Sequence, residues 1–363
     1  MNRRNAGFTL VEMLMVIVIF GFVLAGASQM FVSMLTTQRQ QSKIAETNIE
    51  GIIGLELLRQ DLGKAGYGLP WNGLTGYSEA AGDPYTLNDA ATTLAPRGIV
   101  SVNNVSSGTA LAGTDYLVIK AINVATNAAC SKWTFLSSGA TATTTLWTPG
   151  SENLGQSDRV IVLSPGMPTS SVARTLVTPG TGARFSAVTT YADTGADKET
   201  RIVYGVDSDA ALTSLRMPFN RADYYVKRPS TGMPQRCAGG TGNLYKAVVS
   251  QSNGQMTEMP LLDCVADMQV IYRRDLDGDG DPENWIQDIS TSNAQQIRDQ
   301  VKEVRVFILA QEGQMDSNYI HPVNSIQVGD TGYGSVFNLS GITNGKNYRW
   351  KIYTLVVKLD NLL

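Results

Sequence analysis

The amino-terminal segment constrains this chain more than any other feature of its sequence. Residues 8–27 (FTLVEMLMVIVIFGFVLAGA) are apolar except for Thr9 and Glu12, and the polar residues 1–7 before them include two arginines. A helix needs about 20 apolar residues to cross the roughly 30 Å of hydrocarbon in a bilayer. The segment therefore predicts a membrane helix, with the arginines on the cytoplasmic side and the rest of the chain outside.

The helical pattern continues past this apolar segment. No proline occurs before Pro70, and apolar residues with helical spacing continue at Ala45, Ile49, Ile52, Leu55, Leu58, Leu62 and Ala65. We predict one helix that crosses the membrane over residues 8–35 and continues as an amphipathic helix over 36–66. Five glycines are expected to bend it or melt single turns: Gly21, Gly26, Gly51, Gly54 and Gly63. Gly66 and Gly68 are expected to end it.

Residues 67–363 predict a β-rich head outside the membrane. Glycine, serine, threonine, asparagine and aspartate separate short runs rich in β-branched and aromatic residues, a pattern typical of antiparallel strands. A capping box at Ser292 to Gln295 predicts a short helix before one of these strands. The fold class is therefore α+β, with a long N-terminal helix packed on a large antiparallel head. The predicted strands are 98–105, 115–124, 158–163, 201–206, 224–227, 244–249, 261–272, 303–310 and 349–359.

Two other features of the head have a bearing on function. The polar loops 78–94 and 311–345 are long, and long loops on a rigid scaffold are frequent recognition surfaces. The five tryptophans are expected to pack in the core or against strands: Trp71, Trp133, Trp147, Trp285 and Trp350.

Composition argues against several classes of function. The chain has 29 Lys and Arg against 32 Asp and Glu, so it lacks the basic surplus that holds nucleic acid. One histidine, His321, and three separated cysteines do not supply the ligands of zinc or iron–sulfur sites. The sequence contains no GxSxG, Walker A, HExxH or CxxC motif. We therefore predict neither an enzyme nor a nucleic-acid partner.

Three interpretations of the amino terminus compete. Ala25-Gly26-Ala27 follows the apolar run and has the small residues of a secretory cleavage site. An ordinary uncleaved anchor is the second interpretation, and a leader cut at its cytoplasmic end is the third. Glu12 and the uninterrupted helical pattern after Ala27 argue against the secretory signal.

Glu12 favours the third interpretation on physical grounds. A carboxylate inside hydrocarbon costs a few kcal/mol, so it needs a partner or a position at headgroup depth. An α-amino group created at Phe8 would lie one helical turn away, within reach of the same or a neighbouring subunit's carboxylate. Solvation of Glu12 among the headgroups is the alternative.

The sequence here carries a resemblance. Basic residues, then Gly7-Phe8-Thr9-Leu10-Val11-Glu12, then an unbroken apolar run resemble the class III leader of type IV prepilins and pseudopilins. The resemblance implies that residues 1–7 are a leader, removed by a prepilin peptidase between Gly7 and Phe8. It also implies an N-methylated Phe8 and an assembly role for Glu12.

The resemblance extends into the head. Segments 45–68, 244–249, 261–281, 295–310 and 347–362 are similar to PilW-type minor pilins, whereas residues 71–236 resemble nothing we can assign. The family implies a subunit at or near the tip of a type IV pilus that primes assembly. It implies major and other minor pilins as partners, and a tip adhesin as a further candidate. A J-type pseudopilin of a type II secretion system and a helix-anchored surface adhesin are the alternatives.

The resemblance also implies a location. The subunit would cross the inner membrane once, with its head in the periplasm, and would later move to the pilus or cell surface. Large size favours the end of a filament over its shaft, because a bulky head repeated at every helical step would crowd its neighbours.

Three cysteines in an exported head allow one disulfide. Segments 244–249 and 261–272 are predicted strands joined by a turn, which favours a bond between Cys237 and Cys264. Pairing of Cys130 with Cys237 is the alternative. In the favoured pairing, Cys130 is either buried or available for an intermolecular bond.

An aspartate-rich segment is the one candidate for metal binding. Residues 275–283 (DLDGDGDPE) resemble the first half of an EF-hand calcium loop, with Gly280 at the sharp turn. Position 12 of such a loop would be Ile286 instead of glutamate, so the remaining ligands must come from elsewhere. A solvated acidic turn without calcium is the alternative. The candidate ligands are Asp275, Asp277, Asp279, Asp281 and Glu283.

Overall fold

The computed structural model describes residues 9–90, 95–106, 108–166, 173–195 and 198–362. Its α-helices are α1 (Leu10–Lys64) and α2 (Ala294–Gln300). Its strands are β1 (Ile99–Val102), β2 (Tyr116–Ala121), β3 (Trp133–Ser137), β4 (Thr143–Thr144), β5 (Arg159–Ser164), β6 (Thr175–Leu176), β7 (Ala183–Arg184), β8 (Arg201–Asp207), β9 (Asn220–Lys227), β10 (Gly242–Val249), β11 (Met256–Arg274), β12 (Asn284–Ile286), β13 (Val301–Glu312), β14 (Ser325–Val328), β15 (Ser335–Asn338) and β16 (Arg349–Lys358).

A large antiparallel sheet forms the centre of the head. Its strand order is β1-β2-β9-β10-β11-β13-β16, and β12 is added beside β11. β10 and β11 form the hairpin that the sequence predicts for segments 244–249 and 261–272. The fold is therefore the predicted combination of a long amino-terminal helix and an antiparallel β-rich head.

A second sheet is formed by a segment of the chain inserted between two strands of the large sheet. Its order is β4-β3-β8-β5-β6, with β7 beside β5. All of its strands lie between β2 and β9 in sequence, although β2 and β9 pair directly with each other in the large sheet. The second sheet thus forms a module within the head. β14 and β15 make a separate hairpin.

The carboxyl-terminal part of α1 packs on one face of the large sheet. Leu58 and Leu62 are fully buried there, in a cluster with residues of β2, β9, β11 and β13. Gly54 lies so close to β11 that a Cβ atom on it would be 2.3 Å from the carbonyl oxygen of Leu261. Glycine at this position therefore allows the helix and the strand to approach.

A buried polar group lies in the same interface. The carboxylate of Asp61 on α1 accepts a hydrogen bond of 2.6 Å from the hydroxyl of Tyr224 on β9. The same carboxylate forms an ion pair with Lys246 on β10, and both charged side chains are almost completely buried. Because a buried charge without a partner is costly, this contact fixes the helix at one position on the sheet.

Two sequence-based expectations about α1 have different outcomes. The helix ends at Lys64, and Gly66 and Gly68 follow with positive φ angles of 84° and 66°, as predicted. None of the five glycines melts a turn of the helix, because α1 is helical without interruption from Leu10 to Lys64. Contacts with the head hold it helical at Gly51 and Gly54.

The predicted short helix is α2, and its N-cap is Asn293, one residue later than the sequence suggested. The sequence suggested a capping box from Ser292 to Gln295. In the structure the side chain of Asn293 accepts from the backbone N–H of Gln296 at 2.9 Å, and the Gln296 side chain accepts from the N–H of Asn293. Asparagine is as good an N-cap as serine, so Ser292 and Asn293 were both possible N-caps of this helix.

Substitution of Gly54 by alanine should destabilise the head by about 1–3 kcal/mol, because the new methyl group would overlap the backbone of β11. Gly63→Ala is the matched control on the same helix, since a Cβ atom there meets nothing within 4 Å. The control should be neutral or stabilising by up to about 1 kcal/mol. Thermal unfolding of the full chain in detergent, followed by circular dichroism, measures both, and equal melting temperatures would contradict the close approach.

Candidate functional site

The beginning of α1 contains the predicted assembly residue. Gly7 and Phe8 lie outside the described residues. Thr9 is the N-cap, and its backbone N–H and hydroxyl donate to the carboxylate of Glu12 at 2.9 and 2.8 Å. The N–H of Glu12 donates in return to the hydroxyl of Thr9 at 3.3 Å. Glu12 is therefore held toward the start of the helix, and the Thr-x-x-Glu spacing that signals this capping box was present in the sequence.

Residues 10–39 of α1 are all exposed. One segment of the helix is long and apolar enough to cross a membrane, and its residues are exposed in the isolated chain. Phe22 and Met30, for example, are each 77% exposed. This apolar surface requires lipid or neighbouring helices to cover it.

A second apolar surface lies farther along α1, beside the head. Ile52 and Ile53 are 64% and 70% exposed, and Ile49 is exposed on the preceding turn. A groove of about 720 Å³ separates this part of α1 from the start of β11, where Met259 and Leu261 complete its lining. We call Ile49, Ile52, Ile53 and Met259 the head-side apolar surface, because it lies beside the head, beyond the predicted membrane segment.

The predicted disulfide is confirmed. Cys237 and Cys264 are bonded, with their Cα atoms 4.9 Å apart. Cys264 has a positive φ angle of 55° and lies within an irregularity of the β10–β11 pairing. Cys130 is free and buried, and burial raises the pKa of its thiol, so the buried alternative for Cys130 is the one observed.

The aspartate-rich segment brings together some of its predicted ligands. Oxygen atoms of Asp275, Asp277 and Glu283 lie within 4.8 Å of one another, and this group does not include Asp279 or Asp281. The backbone N–H groups of Gly278 and Gly280 donate to Asp275 at 2.7 and 3.0 Å.

One loop predicted to be a recognition surface is instead partly internal. Glu79 and Asp89, from the loop 78–94, are 2% and 1% exposed and both pair with Lys120 of β2, at 2.6 and 2.5 Å. Arg221 of β9 is fully buried beside them and pairs with Glu79 and with Asp223. This buried charge network lies on the face of the large sheet opposite α1, beside an apolar cluster that includes Val118 and Tyr225. Sequence analysis missed it because Lys120 and Arg221 resemble the solvent-facing positions of their strands.

A buried carboxylate lies near the edge of the same sheet. Asp115, at the start of β2, accepts from the backbone N–H groups of Asn104 and Val270 at 2.8 and 2.7 Å. Burial, with a smaller effect from Asp267 and Asp288, raises the pKa of Asp115 to about 8. Burial likewise raises the pKa of Asp267, which accepts from Gln269 and Ser335. The folded protein therefore holds a proton at Asp115 that the unfolded chain releases near its ordinary pKa of 3.8.

This difference predicts a pH dependence of stability. Because the folded state binds the proton more tightly, the contribution of Asp115 is fully present below about pH 4 and is lost as the pH rises to about 8. Its slope should approach about −1.4 kcal/mol per pH unit. In Asp115→Asn the total slope should become less negative by about this amount, whatever the change in absolute stability, because the contribution of Asp267 remains, whereas the exposed Asp209→Asn should keep the wild-type slope. Denaturant unfolding at several pH values measures the slope, and an unchanged slope in Asp115→Asn would refute the assignment.

Two family models match the chain. The prokaryotic N-terminal methylation motif matches residues 2–28, which include Gly7, Phe8 and Glu12. The model of type IV pilus-assembly protein W (PilW) matches residues 223–361, from β9 to the end of the large sheet. Neither match includes residues 29–222, which contain the second sheet. No curated protein and no solved structure matches the chain.

The matches agree with the geometry. The methylation motif coincides with the exposed apolar start of α1, and the PilW match covers β11, β13 and β16, three of the strands that share a buried cluster with the end of α1. Both indicate a structural component of a pilus. The leader motif at one end of the chain and the PilW match at the other support a type IV pilus minor pilin with a class III leader.

Proposed function

We propose that this protein is a minor pilin incorporated at or near the tip of a type IV pilus, where it primes assembly. Before assembly the first part of α1 crosses the inner membrane and the head lies in the periplasm. A prepilin peptidase removes residues 1–7, leaving an N-methylated Phe8. Major and other minor pilins are the partners, with a tip adhesin as a further one. The PilW match favours this role over that of a secretion pseudopilin.

The exposure of the head-side apolar surface is the observation that carries this proposal. Ile52 and Ile53 are more than half exposed beyond the predicted membrane segment, so lipid does not cover them. Burial of an isoleucine side chain is worth about 1.5–3 kcal/mol, which favours a protein partner at this position. The surface lies on the same helix as the exposed apolar segment, beyond the polar residues 36–43, and a neighbouring pilin subunit that packs along the helix would cover both.

The tip position rests on the shape of the head. The second sheet, inserted between β2 and β9, adds a module that lies outside the PilW match. Such a module is accommodated more easily in one copy at the end of a filament than in every turn of its shaft.

Glu12 supplies the register of assembly in this proposal. Its carboxylate faces the start of the helix through Thr9, where cleavage would create the amine of Phe8. In hydrocarbon, a carboxylate and an amine from adjacent subunits would neutralise each other, and a helix shifted by one turn would leave both unpaired.

Ile53→Asp should reduce the amount of this protein in sheared surface fibres at least about tenfold, because it places a charge in the proposed contact. Ile53→Leu is the matched control and should assemble normally. In the same assay Glu12→Ala should be excluded from fibres, whereas Glu46→Ala, exposed on the same helix and outside the groove lining, should be incorporated.

Processing is measured separately in these variants. Mass spectrometry should show a mature chain that begins at N-methylated Phe8 in all of them, so that a loss of assembly is not a loss of cleavage. Normal incorporation of both Ile53→Asp and Glu12→Ala would contradict the proposed packing. A mature chain that begins at Ser28 would contradict the leader.

We further propose that calcium stiffens the segment 275–283. Asp275, Asp277 and Glu283 can supply three carboxylate ligands, and calcium prefers oxygen ligands of this kind. Calcium should bind with a Kd of about 0.1–1 mM, as in other extracellular modules, and should raise the melting temperature.

Matched variants test this calcium proposal. Asp277→Asn should abolish the calcium-dependent rise in melting temperature, whereas Asp279→Asn, outside the group, should retain it. Titration calorimetry of the full chain measures binding directly. No heat and no thermal shift in the wild type would leave only an acidic turn.

A further inference from the structure

The second sheet presents aromatic side chains on one of its faces. Leu136 and Val203 point to the buried core of this module, so their neighbours Trp133 and Phe135 lie on the opposite face. Both are only half-buried. Trp147, from the segment after β4, packs against them, with ring centroids 5.1 Å from Trp133 and 6.2 Å from Phe135.

The aromatic surface extends across the sheet. Trp133 of β3 is paired in register with Tyr204 of β8, and Tyr204 makes an edge contact with Tyr67 at 5.5 Å. A groove of about 260 Å³ lies beside Trp133 and Trp147, and a second groove of about 230 Å³ lies beside Tyr67 and Tyr204. The sheet therefore carries a strip of aromatic rings with a depression at each end.

The first groove combines ring faces with polar groups. Its lining comprises Ser131, Lys132, Trp133, Trp147, Thr148 and Glu152. Trp147 uses its indole N–H in a 2.7 Å hydrogen bond to the carbonyl of Trp133. Within the part of the chain that the structure describes, the indole N–H of Trp133 has no such partner and the carboxylate of Glu152 has no ion pair. Both groups are available to a ligand.

These features define the chemistry of the ligand. Indole faces attract flat or weakly polar C–H surfaces, while the hydroxyl, N–H and carboxylate groups at the edges require hydrogen-bonding partners. The charges of Lys132 and Glu152 cancel, which disfavours a strongly charged ligand. A sugar ring offers one C–H face and a rim of hydroxyl groups. Each groove is smaller than the roughly 300–1,000 Å³ of a drug-sized site, a size suited to a short sugar unit.

We propose that the aromatic strip of the second sheet is a binding site for a neutral oligosaccharide. One sugar ring stacks on Trp133 and Trp147, with its hydroxyl groups bonded to Glu152 and to the free indole N–H. The chain of rings continues along the sheet toward Tyr204 and Tyr67. This site lies in the module outside both family matches, so it adds a surface-recognition activity to the assembly role.

The test uses the full chain in lipid nanodiscs, because many detergents carry sugar headgroups that would compete. An array of neutral oligosaccharides built from hexoses and N-acetylhexosamines is the probe, and titration calorimetry measures the affinity of the glycans retained. Trp147→Ala should weaken binding about tenfold, as expected for the loss of one stacking contact. Leu146→Ala is the matched control, since Leu146 is the neighbouring residue and 75% exposed outside the groove lining.

Glu152→Gln serves as a second variant in case Trp147→Ala loosens its loop. It preserves the size of the side chain and should weaken binding several-fold with an unchanged melting temperature. All three variants should still enter pili, which separates a failure of this proposal from a failure of the assembly role. The absence of binding to every neutral glycan on the array, or wild-type affinity in both groove variants, would overturn the proposal.

Discussion

The position of α1 on the large sheet is the constraint on which the rest of the structure depends. One end of this helix is an exposed apolar segment long enough to cross a membrane and the other is embedded in the head, so the contact between helix and sheet sets the distance between them. The apolar residues alone, such as Leu58 and Leu62, would tolerate a shift along the helix. The buried pair of Asp61 and Lys246 would not, because a shift of one turn separates the two charges and leaves the buried Lys246 without its carboxylate.

The opposite face of the same sheet is covered partly by a buried charge network and partly by apolar and aromatic side chains such as Val118 and Tyr225. Lys120 and Arg221 are completely buried in adjacent strands, and carboxylates from the loop before β1 neutralise them. Burial of this many ionised groups is tolerable only when each has close partners. The loop is therefore part of the interior, and the sheet is covered on both faces although its sequence has the alternation of a sheet exposed on one side.

Local signals in the sequence predicted α1, α2 and the longer strands of the large sheet but not β3, β12 or the β14–β15 hairpin, and long-range pairing determined the environment of every strand. The helix end after Lys64, the β10–β11 hairpin and the Cys237–Cys264 bond follow from patterns within short segments. The partners of Lys120, and Lys246 and Tyr224 beside Asp61, are distant in sequence, and no local pattern identifies them. The aromatic strip also depends on strand pairing, since the β3–β8 register places Tyr204 beside Trp133. The sequence suggested only that Trp133 was an ordinary packing residue.

The topology explains how assembly and recognition can occupy one chain. The chain leaves the large sheet after β2, forms the inserted module and returns at β9. Because β2 and β9 pair directly with each other, the large sheet is continuous despite the insertion. Changes on the exposed aromatic face of the module then leave the α1 contact and its buried ion pair intact. The edge contact between the rings of Tyr67 and Tyr204 links the module to the segment just after α1. That link orients the aromatic strip relative to the helix, and hence to the filament axis along which the helix is proposed to pack.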